Sequence, residues 1–147
     1  MSITIEVKGV EAMIAKLQRI GDNVPVAMGE AMYLEAERIM AESKEEYVPV
    51  VTGALRASGH VRPPVTVDKT VMVVLGYGGP AVAYAREVHE NPRAGKTGGI
   101  SPSGQRYTRW SRVGQWKYLQ RPLELAVRGL SQRIGRTINE RIAALTR

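Results

Sequence analysis

The chain has 147 residues, 44% hydrophobic and 24% charged, enough for one globular domain whose core needs no metal or disulfide staple. It has no cysteine, which excludes disulfide frameworks, thiol nucleophiles and cysteine-based zinc sites, and its longest aliphatic run, Val71–Leu75, is far short of the roughly 20 residues that span a bilayer. The net charge of +7 is unevenly placed: residues 1–92 sum to −3, residues 93–121 to +7 with no acid, and residues 122–147 to +3. That asymmetry points to an anionic partner, either nucleic acid or an acidic protein face. No basic stretch followed by an apolar one opens the sequence, so the expectation is a soluble protein made, and used or assembled, in the cytoplasm.

Ile3, Ile5 and Val7 alternate with polar residues, the period of a half-buried strand. Val10, Met13, Ile14, Leu17 and Ile20 follow helical spacing, and Gly21 suits a helix stop. A long helix follows over 24–47, with Asp22 or Asn23 as cap and Pro25 in the first turn, where its missing N–H costs nothing. Met28, Met32, Ala36, Ile39 or Met40, Ser43 and Tyr47 form its apolar stripe. The opposite face carries Glu30, Glu35, Glu37, Glu42, Glu45 and Glu46 against only Arg38 and Lys44, and Pro49 ends the helix.

Val61–Val67 and Thr70–Gly76 read as two strands joined at Asp68-Lys69, the first an edge or bulged strand because Pro63 and Pro64 cannot donate to a ladder. Ala81–Glu90 reads as a short helix or strand. A long basic loop is expected at about 91–116, a length that is usually functional or disordered. From Leu119 to Leu145 an amphipathic stripe predicts one continuous helix. At 1.5 Å per residue that helix is about 40 Å long. A 147-residue domain has a radius of gyration of about 15 Å, so the stripe, including Ile138 and Ile142, is expected to overhang the core and meet a neighbour. The fold class is α+β: two long amphipathic helices and a short one on a small antiparallel sheet, in a single domain over 1–147.

Catalytic motifs are weak. Gly95-Lys96-Thr97 ends like a phosphate-binding loop, but Glu90 stands where the first glycine is required. Gly99-Ile100-Ser101-Pro102-Ser103 lacks the final glycine of a nucleophile elbow. His89 with Glu87 and Glu90 is too small a set for a hydrolytic zinc site, and both His60 and His89 read as satisfied or exposed histidines. No enzyme activity, metal or cofactor is expected. The basic segment is more telling: Arg93, Lys96, Arg106, Arg109, Arg112, Lys117 and Arg121 interleave with Tyr107, Trp110, Trp116 and Tyr118, half of the eight aromatics. Cations among stacking rings suit single-stranded nucleic acid, and Trp, Tyr and Arg equally suit a protein interface, the favoured reading. Seven like charges are expected to keep the segment extended until an anionic surface neutralises them, with the Glu-rich helix face of an adjacent copy as candidate.

Tyr47-Val48-Pro49-Val50-Val51-Thr52-Gly53-Ala54-Leu55-Arg56-Ala57-Ser58 resembles the Pro-Val-Asp-Thr-Gly-x-Leu-Arg-x-Ser signature of the small tail-component family of tailed bacteriophages, typified by the tenth gene product of phage HK-ninety-seven. Tyr84-Ala85 with Val88-His89-Glu90, and Lys117 to Leu123 with Pro122, follow in the family's order. Val51 stands where the family usually has Asp, so that carboxylate's turn-stabilising bond is absent. Read physically, Pro49 stops the helix, Thr52 can cap a single turn, Gly53 allows close packing or a positive φ, Leu55 points inward and Arg56 outward; the motif is scaffolding. The resemblance implies a neck or tail-completion protein of the virion's head–tail junction. Its partners would be its own copies in a ring, hexamer or higher, neighbouring head-completion, tail-terminator or tail-tube proteins, and virion DNA in the channel, with no membrane. The alternative is a small basic nucleic-acid-binding protein that uses residues 93–121.

Overall fold

A computed structural model describes residues 1–6, 24–68, 70–94, 99–100, 104, 106–107 and 114–145. The expected helix over 10–20, with its Gly21 stop, lies outside the described residues, as do Lys96, Arg109, Trp110 and Arg112 of the basic loop. The chain has an α+β fold. Its strands are β1 (Ser2–Glu6), β2 (His60–Val61), β3 (Val65–Val67), β4 (Thr70–Gly76), β5 (Gly99–Ile100) and β6 (Arg106–Tyr107). Its helices are α1 (Val24–Glu42), α2 (Ala54–Ala57), α3 (Ala85–Glu90), α4 (Gln120–Val127) and α5 (Leu130–Leu145).

β4 organises the sheet, pairing antiparallel with β1 along one edge and with β2 and β3 along the other. The register sets Ile3 opposite Leu75 and Ile5 opposite Val73, so the apolar alternations of both strands fall on the same face. Val71, Val73 and Leu75 are buried there. As expected, the prolines interrupt the outer strand: Arg62 still donates to the Val74 carbonyl at 2.7 Å, and pairing resumes only at Val65.

α1 lies across that face and buries Met28, Ala31, Met32, Ala36, Ile39 and Met40. The alanines bring backbone close to the sheet, and the flexible methionines fill the gaps between. Gly29 has a packing reason of its own, since a Cβ there would come within 3.1 Å of the Pro64 ring.

The C-terminal stripe folds differently from the expected single helix. Gly129, at φ +77°, breaks it between α4 and α5. Arg133 holds the bend. Its guanidinium donates to the Ala126 carbonyl at 2.7 Å and the Arg128 carbonyl at 3.1 Å, acceptors freed by the end of α4, and to the Glu35 carboxylate at 2.9 Å. The bend returns the stripe onto α1, so Ile134 and Ile138 are buried in the subunit's own core and Ile142 packs on its edge. The expected overhang at Ile138 and Ile142 is therefore corrected. The acidic face is also partly used within the chain, because Glu35 meets Arg38 and Arg133 while Glu30 meets Arg141 at 3.4 Å.

Candidate functional site

α1 ends in a wider, π-helical turn over Ser43–Tyr47, where Val48 N–H reaches back to the Ser43 carbonyl at 2.8 Å. Pro49, which has no N–H, closes the helix behind it. The turn aims two carbonyls at other segments. Lys44 O accepts from Arg56 Nε at 2.6 Å, and Tyr47 O accepts from Gln115 N at 2.8 Å.

It also aims the buried Ser43 hydroxyl at Tyr118 O, 2.6 Å away. A hydroxyl has one proton, so the Tyr77 hydroxyl at 2.9 Å donates to Ser43 Oγ in return. Tyr77 and Tyr118 meet edge to face at 5.0 Å, and the Tyr118 hydroxyl donates to Ala85 O at 2.6 Å. Burial pushes the Tyr77 phenol up to about 12, and burial followed by the nearby Tyr77 pushes Tyr118 up as well. Both phenols stay neutral donors, which the network requires.

His89, also buried, stacks edge to face on Tyr118 at 4.9 Å. Its Nδ1–H donates to the Glu90 carboxylate at 2.7 Å, which leaves Nε2 without a proton, buried and without a partner among the described residues. Burial pulls the His89 pKa below its ordinary value, outweighing the attraction of Glu90. Glu90 is held low by Lys117, whose ammonium lies 2.5 Å away, and then by His89. Of the two expectations, satisfied or exposed, the exposed one is corrected: His89 is buried, with Nδ1 partnered by Glu90.

Within the motif, Gly53 and not Thr52 stands at the N-cap of α2, which has no side-chain cap, so the expected Thr52 cap is corrected; the Thr52 hydroxyl instead accepts from Ala54 N at 3.3 Å in a local turn one residue earlier. Gly53 takes φ +83°, and nothing lies within 4 Å of where its Cβ would stand, so the positive φ and not close packing is the requirement. Leu55 is buried as expected. Arg56 departs from its expected outward course, because the carbonyl exposed by the π-helical turn draws its guanidinium inward. Ser58 Oγ donates to Leu55 O at 2.7 Å and accepts from Gly78 N at 3.3 Å, joining α2 to the loop after β4.

Pro49 is buried against Gly114, whose added Cβ would stand 2.6 Å from the Pro49 Cα; Gly114 itself takes φ +139°. Tyr84, half-buried, leads into α3, and Pro122 lies buried in the first turn of α4, where its missing N–H has no helical partner to lose. Lys117, with φ +58°, turns the chain so that its N–H reaches His89 O at 2.7 Å. The motif, the Tyr84–Glu90 stretch and the 114–122 stretch therefore meet at one place, around the end of α1.

The candidate partner-binding residues divide. Trp116 has the Lys117 ammonium 5.8 Å and the Arg121 guanidinium 5.4 Å from its ring centre, both within cation–π range. Arg121 also hydrogen-bonds the Gln115 side chain. Arg93 is exposed in an Asx turn closed by Asn91 Oδ1 at 3.0 Å. Arg106 belongs to the short β5–β6 ladder, within a segment expected to lack regular structure.

Chemically the cluster is a cross-link. The two bonds of the Ser43 hydroxyl go to tyrosine groups and neither to His89, so among the described residues no base stands by the hydroxyl. Among the described residues, no group of three or more His, Asp or Glu side chains could hold a metal, and no helix is long and apolar enough to cross a membrane. The sequence reading missed Tyr77 and the Ser43 contacts altogether. No family model, curated protein or solved structure matches the chain.

Proposed function

We propose that this chain is a structural virion protein at the head–tail junction of a tailed bacteriophage, a neck or tail-completion component acting through ring assembly and protein–protein contacts. The reading starts from the resemblance carried by Pro49, Thr52, Gly53, Leu55, Arg56 and Ser58 with Tyr84 and Pro122. What supports it is their convergence. Three stretches far apart in sequence join through Gln115 N to Tyr47 O, Lys117 N to His89 O and Tyr118 to Ser43. A scaffold motif needs such a role, and a catalytic one would need a reactive group exposed to substrate.

The nucleic-acid reading draws on Trp116 and its two cations. Both cations are already engaged within the chain, Lys117 by Glu90 and Arg121 by Gln115, which favours the protein-contact reading for this part of the segment. The test is the protein content of density-purified phage particles. The chain should be present at a fixed number of copies per particle, six or more, and should resist removal by salt. Its absence from particles, or loss in high salt in step with nucleic acid, would overturn the proposal.

A further inference from the structure

The basic segment rejoins the fold through a short stretch, Gly114–Leu119, that is pinned to three elements. Gln115 N–H reaches Tyr47 O at 2.8 Å, Lys117 N–H reaches His89 O at 2.7 Å, and Tyr118 O accepts from Ser43 Oγ at 2.6 Å. The middle pin differs from the other two. Lys117 is held at φ +58°, a conformation uncommon outside glycine, so its backbone relaxes when that bond breaks. The element it closes on is light, since α3 has only six residues and the Asn91-Pro92 step after it is exposed. Tyr118 is held separately, by Ser43 and by its own hydroxyl on Ala85 O, so the seam between α3 and Lys117 can part without unseating the core.

At that seam lies His89, 2% exposed, with Nε2 unpartnered among the described residues. A proton on Nε2 makes a buried donor with no acceptor there. It also adds a charge whose surroundings oppose it. Glu90, on the same helix, attracts that charge, but its carboxylate already holds the Lys117 ammonium through Oε2 while Oε1 meets His89 Nδ1. Across the seam the Lys117 ammonium repels it, as does the Met1 α-amino group of the strand edge, which is fixed on Tyr77 O at 2.6 Å. Tyr118 gives the ring an edge-to-face contact and no acceptor, its hydroxyl being aimed at Ala85 O. Two cations thus stand against one shared carboxylate in a buried place, and water is the remaining acceptor. We infer that this seam is a proton-operated latch: protonated His89 turns out to solvent and keeps Glu90, while Lys117 parts from both and the end of the basic segment comes loose. The latch is shut at neutral pH and opens as pH falls below the ordinary 6.5 of a free histidine. It is independent of the head–tail reading, because neither its parts nor its test involve a second molecule.

Nuclear magnetic resonance of the intact, unaltered chain between pH 7.5 and 5.5 reads both sides of the latch. Corrected for the intrinsic exchange rate, hydrogen-exchange protection of the Lys117 amide should fall at least about threefold, toward the roughly tenfold that one proton allows over one pH unit below 6.5. The Arg62 amide, bonded to Val74 O in the sheet, should keep its protection. The His89 ring signal should titrate over the same range in which Lys117 loses protection. In His89→Gln, which has no proton to gain, Lys117 protection should stay flat. Lys117 protection that does not change with pH, whether or not the His89 ring titrates, would overturn the inference, and needs no variant to be seen. So would a loss at Lys117 as large in His89→Gln as in the unaltered chain, or an equal loss at Arg62, which would make the opening global.

Discussion

At Gly53 the backbone sits at φ +83° with open space where a Cβ would go. A substitution there probes backbone strain without a steric clash. Gly53→Val should lose about 1–3 kcal/mol, while Gly53→Asn should lose less, because Asn tolerates the left-handed region. Denaturant midpoints of the two variants check this, and equal midpoints for Val and Gly would contradict it. His89 makes the second residue-scale prediction. Its pKa is lowered from 6.5 by burial, with Glu90 opposing and Lys117 and the α-amino group adding to the effect. The unfolded chain therefore binds the proton more readily, and stability should be intact above pH 6.5 and fall as pH drops through the unfolded value toward the lowered folded one. Glu90, also lowered, adds loss in the same direction only at more acidic pH, below its ordinary 4.5. Thermal midpoints between pH 5 and 8 should show that first decline in the unaltered chain and lack it in His89→Gln.

Between elements, Arg133 and Arg38 look alike in sequence and differ in what they hold. Arg133 satisfies two carbonyls at the end of α4 and pairs with Glu35 of α1, whereas Arg38 is half exposed and, among the described residues, pairs only along its own helix. Arg133 reaches its three acceptors from three nitrogens of one rigid fork, a spread that a Lys ammonium, with its donors on a single nitrogen, does not reproduce. Arg133→Lys should cost about 1–3 kcal/mol, and Arg38→Lys no more than about 0.5 kcal/mol, in parallel urea titrations. The helices and strands were legible in the sequence where an apolar period runs unbroken, as in α1 and in β1 with β4. The Gly129 break was not, because the stripe keeps its phase from Leu123 through Leu130 and only the positive φ interrupts it. Nor was the inward turn of Arg56, which depends on a carbonyl freed by the π-helical turn. Of the candidate site, the Gly53 φ is local and could be read from neighbouring residues, whereas the cap position fell one residue later than Thr52. The Ser43 contacts could not, since Tyr77 and Tyr118 lie 34 and 75 positions away.

In the whole molecule, the buried tyrosines and Ser43 tie the end of α1 to both the sheet and the C-terminal helices. Ser43→Ala would leave the Tyr118 carbonyl and the Tyr77 hydroxyl buried without their partner, at about 1–3 kcal/mol for each group. Thermal unfolding should then lose midpoint while remaining one transition, because the cluster belongs to the single core; a separate early transition would contradict that. The proposal that the chain joins head to tail is tested most directly by electron microscopy of particles made after the gene for this chain is disrupted in a phage that carries it. DNA-filled heads and tails should remain unjoined, with joined particles restored when the intact chain is supplied in trans. Fully joined, infectious particles formed without the chain would contradict it.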